Sequence, residues 1–180
     1  MKNKGTILGV FLISSFLFSS CSMMAKMMGM EDKMKAMENM DMVMAMSSSE
    51  KMSHMASKTS AALKQGSALF SDPSTGGGTN GLSCNSCHPG GGTTGGEAQI
   101  PMREYQIPVP SLVGAASTFP KYKIPNNAVI TLQQMNNNCI RMFMSGKGLE
   151  LNTPEAWSLE AHVASLSNGE EVHVGGMMSQ

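Results

Sequence analysis

Apolar residues change their spacing several times along this 180-residue chain, and each change marks a segment. From Ile7 to Phe18 they run nearly unbroken, behind Lys2 and Lys4 and ahead of Ser19-Ser20-Cys21. A basic start, a short apolar core and small residues form the layout of a secretory signal. The run is too short for a membrane span, which needs about 20 residues. From Met23 the pattern turns helical: Met23, Met27, Met30, Met34 and Met37 share one stripe. Ala, Lys, Glu and Met all favour helix, so a helix is predicted through about Met46, broken at Ser47–Ser49.

Beyond residue 56 the pattern predicts three more helices. Ser60–Phe70 sets Leu63, Gly66 and Phe70 on one face, and Asp72-Pro73 ends it. Glycine at position 66 would let this helix cross another closely. Ala128–Met144 places Leu132, Met135, Cys139 and Met142 together. The last helix starts at Pro154, capped by Asn152 or Thr153, with Glu155 in its first turn. Trp157, Leu159, Val163 and Leu166 form its apolar side, and Gly169 closes it. Between the first and second of these, Pro101, Pro108, Pro110, Pro120 and Pro125 predict an extended loop over 100–125 without regular structure.

Composition narrows the function classes. Thirteen basic and 13 acidic side chains cancel, so nothing here would displace counterions from a nucleic acid. Only 9 aromatics (1 Trp, 2 Tyr, 6 Phe) are available to fill a core, which leaves room for a bulky prosthetic group. Of the 20 Met, 13 lie between residues 23 and 55. That segment reads either as a helical or disordered stalk or, since thioethers suit Cu(I), as a soft-metal site. Its mixed charges do not favour docking on anionic lipid. Cys21, directly after Ser20, fits the cysteine that is acylated in exported lipoproteins; an incidental cysteine behind an ordinary signal is the competing reading. Acylation would anchor the chain to a membrane without spanning it.

The chemistry-bearing motif is Cys84-Asn85-Ser86-Cys87-His88. C-x-x-C-H is the attachment signature of c-type haem. Two thiols one helical turn apart can form thioethers with the two vinyl groups of one porphyrin, and the adjacent imidazole can take the iron as proximal ligand. A thioredoxin-like redox pair would want a preceding strand, whereas glycines surround this motif (Gly76–Gly78 and Gly81 before, Gly90–Gly92, Gly95 and Gly96 after). Cys84, Cys87 and Cys139 with a histidine could hold zinc, and a Cys84–Cys87 disulfide would close an unusually small ring. For the distal iron position, Cys139 competes with Met142, Met144 and Met135, with His162 and His173 as bis-histidine alternatives. Methionine would raise the reduction potential and a thiolate would lower it. Arg103, Arg141 and Lys147 read either as anion-binding groups at the haem mouth or as partners of propionates and solvent.

These pieces resemble a class I cytochrome c domain, and residues 60–170 are similar to haem domains of the thiosulfate dehydrogenase family of sulfur-oxidising cytochromes. The resemblance rests on Cys84–Gly90, Phe119-Pro120-Lys121-Tyr122, Thr131-Leu132, Asn138-Cys139-Ile140-Arg141, Ser145-Gly146-Lys147-Gly148-Leu149, Pro154-Glu155 and Leu166-Ser167. It implies a mostly α fold around one covalent haem c, and Cys139 as the distal iron ligand. Two departures stand out: one C-x-x-C-H where the full enzymes carry two haem domains, and His162 where the terminal helix commonly has an aromatic. The expected organisation is a signal peptide (1–20), a Met-rich linker (21–56), a cytochrome c domain (57–174) and a tail (175–180). The expected function is electron transfer between redox partner proteins, on the periplasmic side of a bacterial membrane. The alternatives are an enzyme or subunit oxidising thiosulfate or a related small sulfur anion, with Cys139 leaving the iron to form a sulfur adduct, and a Met-rich copper-trafficking lipoprotein.

Overall fold

The computed structural model describes residues 30–177, so the expected signal peptide, Cys21, Met23 and Met27 lie outside the described residues. The chain divides into two units that part between Met55 and Ala56. The first holds α1 (Glu31–Ala45) and the start of α2 (Ser48–Ser71). Glu31 and Asp32 sit in the first turn of α1, where acidic groups suit the helix dipole. Lys35 pairs with Glu31 one turn away at 3.0 Å. None of the residues of α1 is buried.

The helix ends at Ala45 as expected, and the Ser-rich stretch after it also starts the next one. Ser47 is a cap: its backbone N–H donates to Glu50 Oε2 at 2.8 Å, and Glu50 N–H donates to Ser47 Oγ at 3.4 Å. This reciprocal pair satisfies donors that a helix start otherwise leaves open. The predicted 60–70 helix is therefore the end of a longer one, with Gly66 and Phe70 buried as its spacing implied.

The described residues as a whole are mostly helical, and the second unit adds two small hairpins to its helices. The short α3 (Cys84–Cys87) carries the cysteine pair. Strands β1 (Gly96–Gln99) and β2 (Gln106–Val109) pair antiparallel, Gly96 facing Val109 and Gln99 facing Gln106. Strands β3 (Lys121–Lys123) and β4 (Ala128–Ile130) form the second hairpin, turning at Asn127 with φ +48°. The prediction of an irregular 100–125 loop is thus wrong. In a two-stranded ribbon each strand has a free edge, so a proline such as Pro108 in β2 breaks no ladder.

Helix α4 (Leu132–Phe143) begins four residues later than the periodicity suggested. Val129 and Ile130 are β-branched and take the strand, while Thr131 and Gln134 form a capping box that fixes the start. Helix α5 (Pro154–Ser165) is capped by Thr153 with Pro154 first, as read from sequence. It ends before Gly169, and Trp157 is 52% exposed, not part of the core. The core consists of Phe70, Leu132, Ile140, Met144, Leu159 and Val163. Gly66 brings α2 against α5: a Cβ there would lie 1.9 Å from the Ser158 carbonyl oxygen.

Long-range clasps tie the loop before α3 to the segment after α4. The Gly76 carbonyl accepts from Lys147 N–H (2.8 Å) and Gly148 N–H (3.0 Å). Thr79 N–H donates to the Met144 carbonyl at 3.0 Å, and Asn80 Nδ2 to the Phe143 carbonyl at 2.7 Å. Asn137, 2% exposed, donates to the Leu149 carbonyl (2.8 Å) and accepts from Leu149 N–H (2.7 Å). No described helix is long and apolar enough to cross a membrane.

Candidate haem site

The two residues between the cysteines shape the turn. Ser86 Oγ accepts from Ser83 N–H at 3.0 Å, which holds the start of α3. His88 N–H donates to the Cys84 carbonyl at 2.9 Å and closes the turn behind it. Asn85 Oδ1 accepts from Gly91 N–H at 2.8 Å, while the Gly91 carbonyl accepts from His162 Nε2 at 3.0 Å. His162 also lies against Phe70, ring centroids 4.8 Å apart. Its task is therefore to hold the glycine loop behind the motif, and it does not line the cavity. Gly96 lets β1 run against the motif: a Cβ there would sit 2.7 Å from the Cys87 carbonyl oxygen.

His88 Nδ1 lies 2.9 Å from the Pro110 carbonyl oxygen. A carbonyl only accepts, so Nδ1 carries the proton and Nε2 keeps its lone pair. Burial pulls the imidazole pKa down, against the smaller upward pull of this hydrogen bond, so the neutral ring that can ligate a metal is favoured.

Cys84, Cys87 and His88 line a cavity whose walls are mainly apolar, including Ile107, Leu112, Phe119 and Leu159. Helix α4 contributes Leu132, Met135, Asn136, Cys139 and Phe143, and Met144 follows it. Among the described residues Cys84, Cys87 and Cys139 are all free thiols. Burial, reinforced by Cys139, pushes Cys84 up to about 12. Burial, with Cys87 nearby, pushes Cys139 up to about 11. In the protein alone these sulfurs are neutral and desolvated. A soft, positively charged partner would reverse that preference.

Met142, expected on the same face, is 43% exposed and does not line the cavity; Phe143 takes that place. Arg103 and Lys147 do not line it either, and Arg141 Nε donates to the Lys147 carbonyl at 2.9 Å. His173 lies elsewhere, exposed and bonded through its backbone N–H to the Ser117 carbonyl. Four polar residues that the sequence reading did not place at the site line the cavity: Ser83, Lys121, Lys123 and Asn136. Lys121 Nζ donates to Thr118 Oγ1 at 2.8 Å and lies 4.9 Å from the Phe119 ring centroid. Asn136 Nδ2 is buried with no hydrogen-bond partner, a costly state for an amide donor. No three His, Cys, Asp or Glu side chains converge among the described residues as a site for a bare metal ion, which leaves zinc without a complete ligand set.

An apolar cavity with a C-x-x-C-H turn on its wall, a prepared imidazole and sulfur donors from a second helix is the arrangement expected of a c-type cytochrome domain. The sequence model for the cytochrome c domain of SoxA/TsdA matches residues 104–172. The thiosulfate dehydrogenase of Allochromatium vinosum is 33% identical over 101 residues, 56% of this chain. The match spans only 33% of that relative's length. Residues 104–172 thus match a cytochrome c domain of the sulfur-oxidation type, and domains of this type bind haem c covalently. Their chemistry is haem-based electron transfer or sulfur oxidation.

Proposed function

We propose that the chain is a single-haem electron carrier, with Cys84 and Cys87 as the thioether sulfurs, His88 as proximal ligand through Nε2, and Cys139 as distal ligand. The observation that carries this reading is the His88 Nδ1–H bond to Pro110 at the wall of a cavity that also exposes both motif thiols and Cys139. Bound there, the iron supplies one-electron Fe(III)/Fe(II) cycling. The protein's part is to exclude water with apolar walls, to fix the imidazole tautomer and to present a sulfur. Asn136 Nδ2, Lys121 and Lys123 are suited to receive the anionic carboxylates of a porphyrin, which would give the orphaned amide a partner. Residues 1–20 direct export to the periplasm, acylated Cys21 anchors the chain, and residues 21–56 form the stalk.

A second reading is favoured by the thiosulfate dehydrogenase similarity and by Cys139 at the cavity: oxidation of thiosulfate or a related sulfur anion. In this reading electrons would pass from the haem held by the C-x-x-C-H of this sequence to a further acceptor.

Expression in a periplasm with haem-attachment machinery, followed by visible spectra of the wild type, Cys139→Ala and Met144→Ala, tests the ligand set. The expected result is covalent haem in all three and a changed spectrum only for Cys139→Ala. A wild type without covalent haem would overturn both readings. An unchanged Cys139→Ala spectrum in both oxidation states would remove Cys139 as ligand. Thiosulfate-dependent reduction of an artificial acceptor would favour the enzyme over the carrier.

A further inference from the structure

The haem reading makes no use of the methionines of α1, and their chemistry is specific. Between residues 22 and 56 the apolar side chains are 13 Met, one Val and four Ala, without a single Leu, Ile, Phe, Trp or Tyr. If the segment needed only apolar surface, leucine would serve as well and favours helix equally. What the chain has selected is sulfur. The structure leaves that sulfur unpacked: Met30, Met34, Met37, Met40 and Met44 are between 39% and 72% exposed, and α1 buries nothing.

Their spacing groups them. Met30, Met34 and Met37 lie at i, i+4 and i+7, and Met37, Met40 and Met44 at i, i+3 and i+7, so two triads on one helix face share Met37. Side chains three and four apart on a helix are neighbours, with Cβ atoms about 5–6 Å apart. Methionine is unbranched and has three rotatable bonds, enough to turn neighbouring thioethers toward one ion. Self-pairing as a coiled coil fits less well. The 4-3 spacing that runs through Met30, Met34 and Met37 next falls on Asp41 before reaching Met44, which would put a carboxylate in the seam.

We propose that Met30 and α1 together bind a soft monovalent cation, Cu(I), held by the thioethers of one triad, Met30-Met34-Met37 or Met37-Met40-Met44. Thioethers select Cu(I) over hard cations. The site has no thiol or imidazole, so its affinity depends little on pH over the range where His and Cys titrate.

The test compares the full-length haem-loaded protein with a variant carrying leucine at these five positions and with Met42→Leu, which alters a methionine off the shared face. Ions bound from Cu(I), and from Ag(I) as a redox-inert probe, are counted by native mass spectrometry against a thioether competitor; haem absorbance does not enter that readout. Circular dichroism checks that leucine keeps the helix. The wild type and Met42→Leu should retain the same number of ions, and the five-leucine variant fewer, with apparent affinity about tenfold or more weaker. Equal ion counts and affinities in the wild type and the five-leucine variant would overturn the proposal. So would a wild type that holds no Cu(I). Loss of haem binding in any of these proteins would bear on the haem reading alone.

Discussion

Gly66→Ala sets two well-understood effects against each other. Glycine inside a helix is worse than alanine by about 1 kcal/mol, so on helix propensity alone the substitution should stabilise α2. The crossing says otherwise. The added Cβ would stand 1.9 Å from the Ser158 carbonyl oxygen, 2.7 Å from its carbonyl carbon and 2.8 Å from His162 Cβ. Two of those atoms are backbone, so no rotamer change relieves the overlap and α2 must move off α5. Overpacking of this kind costs about 1–3 kcal/mol, and a backbone clash belongs at the upper end. After the gain in propensity, a net loss of about 2 kcal/mol remains. With the urea sensitivity usual for a small domain, the unfolding midpoint should fall by about 1 M. The assay is urea unfolding of the haem-loaded protein followed by circular dichroism, with the exposed neighbour Ser67→Ala as control. An unchanged or higher midpoint for Gly66→Ala would refute the close crossing of α2 and α5.

Asn137→Ala removes both bonds to Leu149 and leaves that residue's N–H and carbonyl without their partner, at a cost of about 3 kcal/mol. Thermal melts should show Tm lower by about 10 °C, and a drop under about 3 °C would count against the clasp. Asp72 is held below its ordinary 3.8, chiefly by Ser74 N–H and then by the Ser74 hydroxyl. Its folded pKa is depressed, so its contribution is present above the ordinary carboxylate range and fades as pH falls through the folded value. An NMR titration should show Asp72 returning toward 3.8 in Ser74→Ala by the part that the hydroxyl supplies, the backbone bond remaining.

The parts of the site that were legible in the sequence are local in the chain. C-x-x-C-H declares its own chemistry within five residues, and Thr153-Pro154 marks a helix start by the rules of capping alone. Gly66 and Phe70 were readable because helical spacing shows which side of a single element is apolar. What failed depended on partners distant in sequence. Pro108 looked like a reason against a strand until β1 supplied the other half of a ribbon with free edges. Met142 and Phe143 are adjacent, and a small difference in the rotation of α4 decides which one faces the cavity. Arg141 read either as an anion-binding group or as a partner of propionates and solvent; the segment after α4 folds back and offers its Nε the Lys147 carbonyl. Asn136, Lys121 and Lys123 carried no local signal, because a polar lining becomes visible only when several elements enclose one space.

The β1–β2 hairpin ends in an exposed tip at Met102, whose side chain is fully solvated. The clasps at Gly76, Thr79 and Asn80 and the Gly66 crossing all join residues before that tip to residues after it. Continuity of the chain at Met102-Arg103 therefore matters less than the surfaces on either side. A protease nick there would leave two complementary pieces, one carrying the Cys84-Cys87-His88 turn and the other Cys139, with these contacts still spanning the break. The domain is in this sense a two-part assembly written as one polypeptide, and the haem cavity is the seam between the parts.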